Sequence, residues 1–222
     1  MADTLLHPLG VVPIHGEANK WKFILGVLKQ ETEDFRYKIG TLRLWLYFLK
    51  GIFHGSGWAV SPHRSSTCQD YGAAGLEGLG IAVEAYDSTI NRFRIVLMVA
   101  VAEPTLWGDA IDRLQEPSIA MAAEYCTRYQ QESIWVMTCG RETAKLWVYQ
   151  NYLGLWIEIS NIEGTMLPKG NEWLHIERNF STLTNALHYV KRNPLPDGRM
   201  LEDQVRVNRD RDEAERRERG GR

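Results

Sequence analysis

The 222-residue sequence predicts an α/β (α+β) domain: a central mixed sheet that contains a β-hairpin and is flanked by helices. Three observations lead there. Two stretches with apolar residues at helical spacing precede residue 54, two strand-like runs surround a polar turn cluster between residues 80 and 103, and another helical stretch separates these from two more strand-like runs. With 44% hydrophobic residues and eight Trp, the chain can fill a full-sized core.

Residues 1–16 carry two prolines and little periodicity, which predicts an extended arm ahead of a domain spanning residues 17–193. From Glu17 to Gln30, Trp21, Phe23, Ile24, Val27 and Leu28 recur at three-to-four spacing and mark an amphipathic helix. A second helix is expected from Thr41 to Phe53, apolar on most sides and therefore covered. HGSGWAVSPHRSST, beginning at His54, reads as a loop. GAAGLEGLG, residues 72–80, has neither phosphate-binding glycine order and reads as a loop entering a strand.

GIAVEAY, the polar DSTIN and RFRIVLMVAVAE then predict an antiparallel hairpin. Its second strand holds the apolar run Ile95 to Ala102, as a central strand buried on both faces would, and Pro104 ends it. SIAMAAEYCTRY, residues 118–129, reads as a helix opened by Ser118 after Pro117. SIWVMTC and TAKLWVYQ are two strands around Gly140-Arg141-Glu142, LWIEIS adds a short one, and residues 179–191 close the domain with a helix. Beyond Pro194 the composition changes. Glu202 to Arg222 holds seven acidic and seven basic side chains, so residues 194–222 predict a disordered charged tail, helical at most as a solvated, salt-bridged stretch.

A net charge of -2 removes the global attraction that would make nucleic acid or an anionic membrane the default partner. Cys68, Cys126 and Cys139 lack metal or disulfide spacing and read as reduced thiols. The N-terminal residues lack a basic and apolar leader, giving an intracellular expectation, cytoplasmic or nuclear, in which the Asn179-Phe180-Ser181 sequon stays idle. The apolar run Leu42 to Phe53 is shorter than the roughly 20 residues of a membrane span.

The order helix, hairpin, helix, two strands, with a buried strand before Pro104, resembles the PD-(D/E)xK core of restriction endonuclease-like proteins, and more closely uncharacterised fungal proteins that carry it. The words that carry the resemblance are RIVLMVAVAEPT, AAEYCTRY and IWVMTCGRETAKLWVY, within residues 72–192. The resemblance implies a second hairpin strand of the form apolar run, Glu, apolar residue, Lys. It also implies acids on adjacent strands that hold a divalent cation, with a lysine two residues on that shares the glutamate's face and polarises water. Laid over LMVAVAEPT, that motif falls on Ala100 where the glutamate belongs and Ala102 where the lysine belongs. On this alignment the resemblance implies the scaffold and removes the catalysis.

Relocated acids can be tested by register. With the turn centred near Thr89 and Ile90, Glu84 falls opposite Ile95, and Glu103 then lies on the order of 26 Å further along at ~3.3 Å per residue. Asp87, at the turn, is further still. Glu77 falls nearly opposite Ala102, leaving Glu77 and Glu103 as the one pair in the hairpin that could share Mg²⁺, with Lys145 or Arg141 to neutralise charge. Solvated carboxylates at a strand end are the alternative. His54 beside Ser56 lacks the G-x-S-x-G context of a hydrolase, and His7, His15, His54, His63, His175 and His188 lack metal-binding spacing. Trp135 and Trp147 belong to strands and to a core, whereas Trp58, Trp107 and Trp173 fall near loops, where aromatics anchor partners.

The expectation is a non-catalytic nuclease-like domain that acts as a binding or scaffold module for a protein or nucleic-acid partner, with no cofactor, membrane or small-molecule ligand indicated. The rival is a Mg²⁺-dependent nuclease with relocated acids.

Overall fold

The computed structural model describes residues 4–7, 10–13, 26, 38–64, 79–101, 110–168 and 172–220. All but Gly26 of the expected helix of residues 17–30, most of GAAGLEGLG, Pro104, Glu77, Ala102, Glu103 and Trp107 lie outside these residues. The fold is α+β, with a mixed central sheet and four helices among the described residues. Within the expected extended arm, β1 (Thr4–His7) and β2 (Gly10–Pro13) pair antiparallel with each other.

Helix α1 (Lys38–Ile52) is the apolar stretch anticipated from residue 41. It buries Leu42, Leu44, Trp45, Phe48, Leu49 and Ile52 and leaves Arg43 and Lys50 in solvent, so the two charges that interrupt its apolar run mark its outer side. The segment after His54, expected as a loop, holds strand β3 (Trp58–Arg64), which pairs antiparallel with β4 (Leu79–Asp87). Its Pro62 is tolerated because, among the described residues, β3 is an edge strand.

The hairpin of β4 and β5 (Arg92–Val101) forms with Glu84 opposite Ile95, as reckoned from the turn. Val83 pairs with Leu97, so Val96 is an extra residue and the strand bulges there. The bulge lets Val96 and Leu97, neighbours in sequence, both face the same core. The displaced Ile95 N–H donates to the Tyr125 hydroxyl at 2.8 Å. Burial is the main cause that pushes the Tyr125 phenol up to about 12.

Helix α2 (Ala110–Tyr129) carries the chain from β5 to β6 (Ser133–Gly140), which pairs parallel with β5. This helix starts earlier than Ser118, and Pro117 lies inside it. Pro117 supplies no N–H to the carbonyl four residues back. Ser118, fully buried, caps nothing and donates its Oγ hydrogen to Leu114 O at 2.5 Å. β7 (Thr143–Gln150) returns antiparallel to β6. Its other side is shared between β8 (Leu155–Glu158) and β11 (Leu174–His175), while β9 (Asn161–Ile162) and β10 (Thr165–Met166) form a small separate hairpin. The main sheet runs β11-β7-β6-β5-β4-β3, with β8 also on β7.

Two cores result. On one face α1, α3 (Phe180–Arg192) and Leu201 cover Ile81, Leu97, Val99, Trp135, Met137 and Leu146. On the other, Met121, Ala122, Tyr125 and Cys126 of α2 cover Ala82, Ile95, Met98, Ile134, Val136 and Tyr149. β5 is therefore buried on both faces, as its unbroken apolar run predicted. Cys126 and Cys139 are buried free thiols, as expected. No described helix is long and apolar enough to cross a membrane.

The charged tail differs from expectation: α4 (Gly198–Gly220) is a helix. Gln204 Oε1 accepts the N–H groups of Ser160 and Asn161 at 3.0 and 3.2 Å, and its Nε2 donates to Asn161 O at 2.6 Å. One turn on, Asn208 Nδ2 donates to Glu158 O at 2.9 Å. Two side-chain amides thus serve the backbone from the end of β8 to the start of β9 as a neighbouring strand would, and Leu201 seats the first turn in the core. The composition of the tail forbids folding alone; the sheet edge supplies the missing partner.

Candidate functional site

Residues directly opposite in a sheet share a face, so the pairings around Ala100 define a row of side chains. His63 pairs with Gly80, Gly80 with Ala100, Ala100 with Thr138, and Thr138 with Lys145. Ala100 packs against the α2 core, with no side chain beside it on β4 and a buried threonine on β6. Gly80 is required by close approach: a Cβ there would lie 2.3 Å from Val99 O.

Lys145 ends the row and is the buried cation of the site, 5% exposed. Its Nζ lies 3.1 Å from Glu158 Oε1 and sits 5.6 and 5.2 Å from the ring centres of Trp147 and Trp173. Trp147 stacks on Trp156 with ring centres 5.2 Å apart and donates its indole N–H to Thr138 Oγ1 at 2.9 Å. Strand alternation puts Lys145 and Trp147 on one face of TAKLWVYQ, a relation visible in sequence. Glu158 and Trp173 come from other elements, and local periodicity carries no sign of them.

At the same edge Thr143 pairs with His175. Ligand atoms of Glu142, His175 and Glu177 all lie within 4.8 Å of one another, the one such group of three among the described residues. His175 Nδ1 accepts the Glu177 N–H at 3.2 Å, which leaves Nε2 as the N–H facing Glu142 Oε2 at 3.0 Å. As the ring stands, neither nitrogen offers a lone pair to a cation, and a metal would first have to reverse this tautomer.

The other residues singled out in the sequence are dispersed. Glu84 lies four residues along β4 from Gly80, about 13 Å from the row. Asp87 accepts the Thr89 hydroxyl and N–H at 2.5 and 2.9 Å; these bonds, with Arg94 nearby, hold its carboxyl below its ordinary range. Arg141 occupies the β6–β7 turn in the left-handed region, φ 47°, and its carbonyl accepts the Trp45 indole N–H at 2.8 Å. Trp58 is half-buried against Phe53, with Lys191 Nζ 5.9 Å from its ring centre. Trp58 and Trp173 stand at opposite edges of the main sheet and do not frame one groove. His54 Nδ1 donates to Gly51 O at 2.9 Å, and burial lowers the pKa of His63.

A feature missed in the sequence lies at the end of the sheet away from the row. Tyr86, Ile90 and Phe93 around the β4–β5 turn, Tyr129 at the close of α2, and Tyr152, Leu153 and Leu155 around the β7–β8 turn are all exposed. Tyr86 and Phe93 meet edge to face, and the Arg92 guanidinium lies over the Tyr129 ring at 5.8 Å. Each exposed residue is unremarkable in its own segment; only the shared end of the sheet gathers them. No family model, curated protein or solved structure matches the chain.

Proposed function

We propose that this chain is a non-catalytic, nuclease-like module that binds a protein or nucleic-acid partner. The order helix, three-stranded meander, helix, parallel strand and returning strand supports a PD-(D/E)xK-like scaffold. The observation that carries the reading is the composition of the row at Ala100. A cation site there would need carboxylates on adjacent strands, and the adjacent strands bring Gly80 and Thr138 to that position. Lys145, at the end of the row, is engaged by Glu158 and two indoles. The exposed tyrosines, Phe93 and Arg92 at the opposite end have the aromatic and arginine composition of binding hot spots.

The test is a cleavage assay on single- and double-stranded DNA and RNA with Mg²⁺ or Mn²⁺. The expected result is no cleavage above a metal-free control. Robust metal-dependent cleavage that Glu103→Ala abolishes would overturn the reading in favour of a nuclease using Glu77 and Glu103 for Mg²⁺.

A further inference from the structure

The small β9–β10 hairpin lies against α3, and between them is a cleft of about 320 Å³. No motif in the sequence points to it. The hairpin turns through Glu163 and Gly164 at φ 48° and 80°. Asn, Asp or Gly adopts the first of these conformations at least cost, so Glu163 keeps its side chain at some conformational expense. That side chain stands at the rim of the cleft, where Glu163 Oε2 accepts from Arg192 Nη2 at 2.7 Å. The floor includes the buried Ile162, Leu167 and Ala186, and the α3 wall brings Thr182, Asn185 and the His188 imidazole to the same cleft.

Both rim partners are more than half exposed, 57% and 58%, and a pair so open to water contributes little stability. Exchanging it for a ligand's charges therefore costs little. The chemistry of the rim selects among ligands. A monoanion that took Arg192 would bring its charge against the Glu163 carboxylate, and a monocation that took Glu163 would bring its charge against the Arg192 guanidinium. A small molecule with a carboxylate and an ammonium on neighbouring atoms satisfies both, and an apolar substituent on it would meet the floor. We propose that this cleft is a binding site for a small zwitterion of the α-amino-acid class with an aliphatic side chain.

L-leucine, N-acetyl-L-leucine and L-leucinamide, the last two each lacking one charge, are titrated into the isotopically labelled full chain while the amide resonances are followed. Leucine is expected to give saturable shifts, complete by about 10 mM, confined to residues 162–167 and 182–192. Each analogue is expected to bind at least about tenfold more weakly, and Glu163→Gln or Arg192→Gln to weaken leucine by a similar factor. The analogues test the wild-type chain, so the outcome does not depend on the variants folding. Absence of saturable shifts, shifts elsewhere in the protein, or equal binding of all three compounds overturns the proposal, the last leaving only apolar filling of the cleft.

Discussion

Lys145 Nζ lies 3.1 Å from Glu158 Oε1, and the side chains are 6% and 16% exposed, so neither charge is well served by water. Removing one partner of such a pair leaves the other buried and uncompensated, whereas removing both can be nearly neutral. Lys145→Met is expected to cost about 3 kcal/mol in urea unfolding, and adding Glu158→Leu to recover most of it. Additive losses would show that the pair is not coupled. Gly80 is a second residue whose role is steric. Its missing Cβ makes room for Val99 O, a backbone atom that cannot swing aside, so Gly80→Ala is expected to destabilise by at least about 2 kcal/mol. A stability unchanged within error would contradict that close approach. In sequence Gly80 was one glycine among several in a loop-like stretch, because nothing local records how near the next strand comes. The sequence offers Lys145 only as a cation to neutralise charge near Glu77 and Glu103; Glu158 lies on β8 and Trp173 near β11, and only the sheet brings them to it.

Among elements, the β4–β5 hairpin was the most legible. Its polar turn and two β-rich runs encode both the pairing and the Glu84–Ile95 register, because alternation and turn position are local properties. The bulge at Val96 was not legible, since it depends on what the strand packs against, and the start of α2 at Ala110, ahead of Pro117, ran against the local signal. α4 is the clearest such case. Gln204 occupies two backbone N–H groups and one carbonyl at the end of β8 and the start of β9, and replacing it by Ala leaves them without that partner. Gln204→Ala is expected to speed hydrogen exchange of the Ser160 and Asn161 amides by more than about tenfold, with the Val136 and Leu97 amides unaffected. Equal protection at Ser160 and Asn161 in the variant would mean that the helix does not serve this edge.

For the molecule as a whole, buried thiols and phenols, Cys126, Cys139 and Tyr125 among them, govern the response to alkali. Burial raises the Cys126 thiol to about 12, raises the Cys139 thiol well above its ordinary value, and is the main cause that raises the Tyr125 phenol to about 12. The unfolded chain releases thiol protons from about pH 8.5 and phenol protons from about pH 10, while the native state keeps them. The native state then binds more protons than the unfolded one, so stability falls as pH rises from about 8.5 towards about 12. Urea midpoints are expected to drop between about pH 8 and pH 10.5, with a smaller drop in Cys126→Ala. A midpoint flat across that interval would contradict the buried thiols. By itself the sequence determined the α+β class, the hairpin and its register, and a central strand buried on both sides, because side-chain periodicity and turn chemistry act over a few residues. Tertiary structure alone decided the neighbours of Ala100, the approach of Glu158 and Trp173 to Lys145, the seating of α4 on a sheet edge and the charged rim of the cleft. Each of these joins residues from separate elements, and such contacts follow from strand order and edge pairing, which no local pattern encodes.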